Sequence, residues 1–322
     1  MRILFVGLGA MGVPMARRMA PEHDLVLVDP RPDLAVLAED MSADYVTATG
    51  SAPTAVDAVI LMLPDSRVVE AVLEGPQDPY DPHDGQGPDG LLDRLAPGTL
   101  IVDMSSAVPE STRRLAGLAR ALGIAYVDAP VSGGVAKART GELAVMAGGR
   151  AEDVRRAAAL VAPMAASVTH VGPSGSGHAA KALNNLLAAA NLVAAAEVLT
   201  VARRFGIDAA TMLDVLNQST GRNQATEVKF PQHVLTGGFA SGFAMDLMIK
   251  DLGIARKLAD DFHVESPLTA QALEVALAAR RSLPEPHPDH TRLVEWYEHR
   301  NDIALRGSTT DDGSTTKTGE HA

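Results

Sequence analysis

Short apolar runs alternate with amphipathic segments through the first half of the chain. The runs after Arg2 (Ile-Leu-Phe-Val) and after Asp57 (Ala-Val-Ile-Leu-Met-Leu) are too short for most helices and are apolar at every position. Strands covered on both faces have this pattern, and the segments between the runs have helical character. The pattern therefore predicts a parallel sheet between layers of helices. The predicted strands are Arg2–Val6, Asp24–Val28, Tyr45–Thr47, Ala58–Leu63, Leu100–Met104, Ala125–Val127, Glu142–Ala147 and Val168–Val171.

The second half of the chain is helical, and its longest element is predicted over Pro173–Gly206. Good helix formers follow a Gly/Ser entry, no proline interrupts them, and a glycine closes the run. Apolar residues occupy nearly every side, which predicts a helix buried by other elements. Lys181, Asn184 and Asn185 are three and four residues apart, so they share one side of the first turns. Further helices are predicted over Asp208–Ser219, Glu227–Thr236, Met245–Phe262, Pro267–Arg281 and Thr291–Asn301.

The turn Gly7–Gly12 connects the first strand to the first helix with the spacing Gly-x-Gly-x-x-Gly, and Asp29 follows 22 residues after Gly7. A dinucleotide-binding unit typically has a strand, a glycine turn, a helix, a second strand and an acidic residue in this order. N–H groups at the helix start would meet the phosphates. The turn predicts a cofactor site formed by Gly7, Leu8, Gly9, Ala10, Met11 and Gly12.

Two residues after the second strand bear on the choice of cofactor. Asp29 can accept hydrogen bonds from ribose hydroxyls and would repel a 2′-phosphate, which favours NAD. Arg31 could instead bind that phosphate, so NADP stays open. Ligands of a parallel sheet bind at the carboxyl ends of its strands, which adds the following loops to the predicted cofactor site. These loops contain Leu63, Pro64 and Ser106.

These elements divide the chain into an α/β Rossmann-type domain over 1–172, an interdomain helix over 173–206 and an all-α domain over 207–305. The all-α domain would hold substrate and form oligomer contacts. Residues 306–322 are almost without apolar side chains and predict a disordered tail. The Pro/Gly/Asp-rich stretch 74–90 predicts a surface loop.

Charge and composition exclude several classes of protein. A net charge of −12 and a pI near 5.2 argue against a nucleic-acid or anionic-membrane partner. The chain has no cysteine, so disulfides and thiolate metal sites are absent. Polar residues interrupt the apolar run 183–202, and the N-terminal run is too short for a signal peptide, so we expect a cytoplasmic protein. His287 and His290 stand in a proline-rich turn with no third ligand nearby, so no metal site is expected.

Five ordered segments resemble the β-hydroxyacid dehydrogenase family, which includes 3-hydroxyisobutyrate dehydrogenase and belongs to the 6-phosphogluconate dehydrogenase superfamily. The resemblance covers about residues 1–300. The five segments are Gly7-Leu-Gly-Ala-Met-Gly-Val-Pro-Met-Ala16, Asp103-Met-Ser-Ser106, Asp128-Ala-Pro-Val-Ser-Gly-Gly134, Gly177-His-Ala-Ala-Lys-Ala-Leu-Asn-Asn185 and Lys250-Asp-Leu-Gly-Ile-Ala255.

The resemblance implies a role for several residues. Lys181 would be the catalytic lysine, and Asn185 would be its amide partner. Lys250 would be a second active-site lysine and one of the cofactor-binding residues. It also implies a homodimer or homotetramer that acts on a small carboxylic acid. The loop that would bind the substrate carboxylate consists of Ser132, Gly133 and Gly134.

The chain departs from the family pattern at Lys137, where a small glycine is more usual, and Arg139 follows closely. This extra positive charge predicts a more polar or larger acid, such as the sugar acid threonate. His178 could touch cofactor or substrate, and Arg222 and Asn223 could reach the cleft, but each has an ordinary structural alternative.

Two alternative functions stay open for the whole chain. One is an NADPH-dependent reductase of a short aldehyde acid or imine; the presence of Lys181 argues against the imine. The other is a cofactor-binding or interaction protein without catalysis, which would be expected to lose Lys181, Asn185 or the Ser-Gly-Gly loop.

Overall fold

The computed structural model describes residues 1–75 and 90–306, which form two compact units. Met1–Asn185 and Ile254–Val264 form the first unit, and Leu186–Gly253 with the described residues from Glu265 onward form the second. Most of the loop predicted over 74–90 and the tail from 307 onward lie outside the described residues.

Within the described ranges, the first unit contains one sheet of nine strands in the order β3-β2-β1-β4-β5-β6-β8-β7, with β9 paired to β8. Strands β1 to β6 are parallel and follow the order 3-2-1-4-5-6 of dinucleotide-binding folds. The strands are β1 (Arg2–Val6), β2 (Asp24–Val28), β3 (Asp44–Val46), β4 (Ala58–Leu61), β5 (Leu100–Asp103), β6 (Ala125–Asp128), β7 (Val131–Ser132), β8 (Leu143–Gly148) and β9 (Ala165–Gly172).

The eight predicted strands are confirmed, with ends that differ by at most three residues. The far edge of the sheet is not purely parallel, because β8 runs antiparallel to β6 and β7. The two-residue strand β7 was not predicted, since so short a run carries no periodicity.

Alternation along β1 explains the two apolar layers around the sheet. Ile3 and Phe5 enter one hydrophobic core and Leu4 and Val6 enter another, and each is at most 3 % exposed. The helices of this unit before its long helix are α1 (Gly12–Met19), α2 (Ala35–Asp40), α3 (Ser66–Glu74), α4 (Leu91–Arg94), α5 (Pro109–Ala121), α6 (Gly134–Thr140) and α7 (Ala151–Val161).

The long helix α8 (Ser176–Phe205) begins in the first unit and continues into the second. Its second part packs with the following helices around a core that includes Leu192, Leu199 and Phe230. These helices are α9 (Ala209–Asn217), a π-helix (Ala225–Val234), α10 (Met245–Asp261), α11 (Pro267–Ser282) and α12 (Leu293–Asn301).

Two predictions about the helices were wrong in detail. The segment predicted as an ordinary helix over Glu227–Thr236 is a π-helix that contains Pro231, a residue without the N–H that a regular helix requires. Helix α8 is not buried on every side, because several of its large apolar side chains are exposed to solvent in the single chain.

Candidate active site

The glycine turn after β1 has the geometry that a dinucleotide site requires. Gly7 has φ +99°, and a Cβ there would lie 2.3 Å from the carbonyl oxygen of Met62. A Cβ at Gly12 would lie 2.0 Å from the oxygen of Gly7, whereas a Cβ at Gly9 would meet no atom within 4 Å. Helix α1 has no side-chain cap and no acidic residue in its first turn. The turn therefore has open space at Gly9 and a helix start suited to an anion, and it fits a pyrophosphate.

The carboxylate of Asp29 lies at the end of β2, 6 % exposed, and accepts hydrogen bonds from its own chain on both oxygens. Oδ2 accepts from the N–H of Leu8 at 2.9 Å and from Nη2 of Arg31 at 3.0 Å. Oδ1 accepts from the N–H and Nε of Arg31 at 3.1 and 2.9 Å. Burial raises the pKa of Asp29, but the hydrogen bonds from Arg31 and Leu8 outweigh burial and hold that pKa below its usual value.

Backbone and hydroxyl contacts join the loops that follow neighbouring strands. The N–H of Leu63 donates to Oγ of Ser105 at 3.0 Å, and the N–H of Ser105 donates to Oδ1 of Asp103 at 3.1 Å. Pro64 is exposed and Ser106 is half-buried beside these two loops. The predicted residues Leu63, Pro64 and Ser106 thus belong to loops fixed at the carboxyl ends of β4 and β5.

Asp128, at the end of β6, holds the start of helix α8. Its Oδ1 accepts from the N–H of Gly175 at 2.8 Å and its Oδ2 from the N–H of His178 at 3.0 Å. A Cβ at Gly177 would lie 2.4 Å from the oxygen of Met146 and 2.6 Å from that of Asp128. The helix start therefore packs directly on the sheet, and a buried negative charge lies at its positive end.

His178 reinforces this attachment and is 1 % exposed. Its Nε2 lies 3.2 Å from the carbonyl oxygen of Ser105, which can only accept, and its Nδ1 lies 2.7 Å from Oγ1 of Thr112. Asp103 is 3.9 Å from Nε2 and accepts from the hydroxyl of Tyr126 at 2.8 Å. His178 is thus a buried anchor that joins α8 to the β5 loop and to α5. This is a structural role, the alternative given above to contact with cofactor or substrate.

Lys181 and Asn185 lie on α8 one and two turns after this anchor, and both are half-buried. Their four-residue spacing in a continuous helix places them on one side. The anchor thus attaches the segment that carries Lys181 to the same strand-end loops that contain the predicted cofactor residues. Sequence reasoning missed Asp128, Asp103 and Thr112 as parts of this network. An acidic residue at the end of a buried strand was the available signal for Asp103 and Asp128, whereas Thr112, inside α5, carried no such signal.

The predicted carboxylate loop lies between β7 and α6. Ser132 pairs with Ala144 across the sheet, and Gly133 and Gly134 have φ +129° and +65°. A Cβ at Gly133 would lie 2.7 Å from Cβ of Lys137, so the stem of that lysine covers this glycine. Lys137 itself is exposed, which leaves its ammonium accessible beside the loop.

Three other predicted candidates lie in the second unit. Lys250 is on α10, with its Nζ 3.7 Å from Oδ1 of Asp251. Asn223 accepts from the N–H groups of Ala225 and Thr226 at 2.9 and 3.3 Å, so it caps the π-helix. Arg222 lies 3.6 Å from Glu227, which gives both Arg222 and Asn223 structural contacts.

The second unit also contains a basic pair, the buried His290 and the half-buried Lys229, that the sequence did not indicate. Nζ of Lys229 lies 2.5 Å from Nε2 of His290, whose Nδ1 is 3.1 Å from Oγ of Ser241 and 3.0 Å from the oxygen of Phe243. Burial lowers the pKa of Lys229 to about 8. Burial, together with the charge of Lys229, lowers the pKa of His290 to about 4.

Both halves of the chain match described protein families. Residues 2–172 match the NAD binding domain of 6-phosphogluconate dehydrogenase. Residues 175–297 match the family described as NAD-binding of NADP-dependent 3-hydroxyisobutyrate dehydrogenase. These matches agree with the glycine turn and strand order described above.

Sequence similarity to named relatives covers most of this chain. The 2-(hydroxymethyl)glutarate dehydrogenase of Eubacterium barkeri is 33 % identical over 95 % of this chain and 98 % of its own. The NAD-dependent L-serine dehydrogenase of Pseudomonas aeruginosa is 36 % identical over 85 % of this chain and 90 % of its own.

A solved structure is also similar. Mycobacterium tuberculosis 3-hydroxyisobutyrate dehydrogenase with L-serine has a TM-score of 0.80 at 30 % identity, over 92 % of this chain and 98 % of that one. The chain therefore belongs to the β-hydroxyacid dehydrogenase family and is an NAD(P)-dependent hydroxyacid dehydrogenase.

Proposed function

We propose that this enzyme oxidises a small β-hydroxyacid to the corresponding oxo acid with NAD, and that Lys181 acts as the general acid/base. The observation that carries the proposal is the attachment of the Lys181 helix to the strand-end loops through Asp128 and His178. Oxidation removes two electrons and a proton as hydride from the hydroxyl-bearing carbon, and a second proton leaves the oxygen. The bound nicotinamide supplies the hydride acceptor.

The chain itself must bind the acid and move the second proton. In its neutral form, the Lys181 amine accepts the hydroxyl proton as the carbonyl forms; in reduction, the protonated amine returns it. Asn185, one turn further, offers an amide that can orient Lys181 or the substrate oxygen. Ser132 and the backbone around Gly133 and Gly134 offer hydrogen-bond donors for a carboxylate without a metal.

NAD is the cofactor that the Asp29 site favours. For Arg31 to bind a 2′-phosphate, its guanidinium would have to leave two hydrogen bonds to Asp29. That movement would leave a buried carboxylate beside a phosphate, which is electrostatically unfavourable. Ribose hydroxyls can instead donate to Asp29 without adding charge.

The names of the relatives narrow the substrate class. 2-(Hydroxymethyl)glutarate, L-serine and 3-hydroxyisobutyrate each carry a hydroxymethyl group on the carbon next to a carboxylate. They differ in the other substituent on that carbon, which is a carboxyethyl, an ammonium or a methyl group. We propose that this enzyme takes an acid whose substituent is polar or anionic, because the ammonium of Lys137 is accessible beside the predicted carboxylate loop.

A panel of potential substrates tests the proposal through the appearance of reduced nicotinamide. The panel contains the three acids above, threonate and 1-propanol, which has the hydroxymethyl group but no carboxylate. Oxidation of at least one acid, with kcat/KM at least about 100-fold above that of 1-propanol, is expected because the alcohol would leave the hydrogen-bond donors of the carboxylate loop unpaired. Equal rates with acid and alcohol would contradict a carboxylate-specific site.

A further inference from the structure

Lys229 and His290 form a basic pair to which the proposed reaction gives no role. Lys229 lies on the π-helix, and its Nζ is 2.5 Å from Nε2 of His290. The lysine is half-buried, so part of its side chain reaches solvent, whereas the histidine is 3 % exposed. Both residues belong to the second unit. An amine that is partly withdrawn from water and lies against a buried base is a candidate reactive group.

The contacts of the His290 ring fix which of its nitrogens accepts a hydrogen bond. Nδ1 lies 3.0 Å from the carbonyl oxygen of Phe243, which can only accept, so Nδ1 carries the hydrogen of the neutral ring. Nε2 then presents its lone pair to Lys229, and the amine must donate to it. One N–H of Lys229 is thereby directed at the ring. The lone pair of a neutral Lys229 amine consequently points away from the ring.

The nearest carboxylate is engaged elsewhere. Oδ1 of Asp289 accepts from the N–H of Thr291 at 2.9 Å, and its Oδ2 accepts from the N–H of Gly242 at 2.9 Å. No carboxylate in the described ranges forms an ion pair with Lys229. Burial lowers the pKa of Lys229 to about 8, although the charge of Asp289 opposes that change. About a tenth of the amine is therefore neutral and nucleophilic near pH 7.

We propose that Lys229 is a Schiff-base site for short aldehyde acids and that His290 holds the protonated imine. The neutral amine adds to the aldehyde carbon, and the aldehyde oxygen then leaves as water while the carbon–nitrogen double bond forms. A proton from solvent gives the protonated imine, whose one N–H donates to Nε2 of His290 as the amine does now. Lysines that burial keeps partly neutral are the ones suited to this chemistry.

The choice of an aldehyde acid rests on the proposed function. Oxidation of a hydroxymethyl group yields an aldehyde, so the enzyme would itself release an electrophile that carries a carboxylate. The surroundings of Lys229 suit such a molecule, because His233 lies four residues further along the same helix and its charge also acts on His290. The carboxylate would thus meet basic groups, and the hydrogen bonds of Asp289 keep that acid in its own loop.

Glyoxylate, the simplest aldehyde acid, tests the site directly. It is added to the unaltered chain without cofactor or hydroxyacid, so the result does not depend on the proposed oxidation. Cyanoborohydride reduces any imine to a stable carboxymethyl amine, and peptide mass mapping locates it. Lys257 is the matched comparison, because it is exposed and its Nζ lies 2.7 Å from Oδ2 of Asp261. The hydrogen bond from Asp261 raises the pKa of Lys257 and keeps its amine protonated.

Labelling of Lys229 should be at least about tenfold faster than labelling of Lys257, because only the neutral amine attacks the aldehyde. Lys229→Arg keeps a cation beside His290 and should lose this label while the label at Lys257 is unchanged. Propanal, which has no carboxylate, should show a smaller preference for Lys229 over Lys257 than glyoxylate does.

Equal labelling of Lys229 and Lys257, or labelling confined to Lys181, would overturn the proposal and leave the proposed oxidation standing. An equal preference for Lys229 with propanal and glyoxylate would overturn its assignment to aldehyde acids. Conversely, rapid labelling of Lys229 in a chain that oxidises no hydroxyacid would contradict the proposed function alone.

Discussion

Arg31 binds both carboxylate oxygens of Asp29, with Nε 2.9 Å from Oδ1 and Nη2 3.0 Å from Oδ2. The same Nη2 lies 3.0 Å from the carbonyl oxygen of Leu8, in the glycine turn. The residue that could favour NADP is therefore held by the residue that favours NAD. If this pair determines cofactor choice, that choice should depend on whether the carboxylate is charged.

The first prediction concerns this pair. Asp29→Asn keeps an oxygen for the N–H of Leu8 but removes the charge that holds Arg31, so the guanidinium becomes available to a 2′-phosphate. The ratio of kcat/KM for NADP to that for NAD should rise at least about tenfold, equivalent to about 1.4 kcal/mol. Arg31→Ala should not raise this ratio. An unchanged ratio in Asp29→Asn would assign cofactor choice to other residues.

The second prediction concerns the attachment of α8. Asp128 accepts hydrogen bonds from two backbone N–H groups. An asparagine amide could accept from only one of them, and its NH2 group would then face the other N–H, so that two donors oppose each other. Asp128→Asn should shift the helix that carries Lys181 and lower kcat at least about tenfold with cofactor affinity retained, since small misplacements cost rate steeply.

Asp208→Ala is the matched control for that change. Asp208 caps α9 by accepting from the N–H of Thr211 at 3.1 Å, and α9 carries no predicted site residue. This variant should lower the melting temperature without lowering kcat. Equal kcat losses in both variants would reduce Asp128 to a general stabilising role.

The third prediction concerns substrate choice. Lys137→Met keeps the apolar stem that covers Gly133 and removes the ammonium. The value of kcat/KM for 2-(hydroxymethyl)glutarate or threonate should fall about tenfold relative to that for 3-hydroxyisobutyrate, as expected for loss of a hydrogen bond to a charged group. Arg139→Met, two residues on, should change this ratio less. An equal loss of kcat/KM for all acids would show that Lys137 does not determine substrate choice.

The fourth prediction is a pH dependence of stability from His290. Its pKa of about 4 in the folded chain lies below the usual value of 6.5, so the unfolded chain binds more protons between these values. The free energy of unfolding should therefore fall by on the order of 3 kcal/mol as the pH drops from about 6.5 to about 4. Chemical denaturation across this pH range measures the free energy of unfolding, with His290→Gln for comparison. An equal dependence of that free energy on pH in both proteins would contradict the assignment to His290.

The sequence was sufficient for the architecture because the relevant signals are local. Buried strands such as Ala58–Leu61 are apolar at every position, and the turn Gly7–Gly12 has fixed backbone requirements. The motif around Lys181 likewise placed a candidate lysine at the start of a long helix, as the structure has it.

The remaining features depend on contacts between distant residues. Asp128 meets the N–H of Gly175, 47 positions away, and His178 meets Ser105, 73 positions away, so no local pattern reveals them. The exposed side of α8 was missed because apolar composition alone does not distinguish a helix buried in its own chain from one with an uncovered stripe.

The assignment of Lys181 as proton carrier is the central claim, and kcat of Lys181→Ala measured beside NAD affinity tests it most directly. Loss of a general acid/base predicts that kcat falls by about 100- to 10,000-fold while the Kd for NAD is unchanged. The pH dependence of the residual rate should also lose the ionisation attributed to the lysine. A variant that turns over at the rate of the unaltered enzyme would contradict the account.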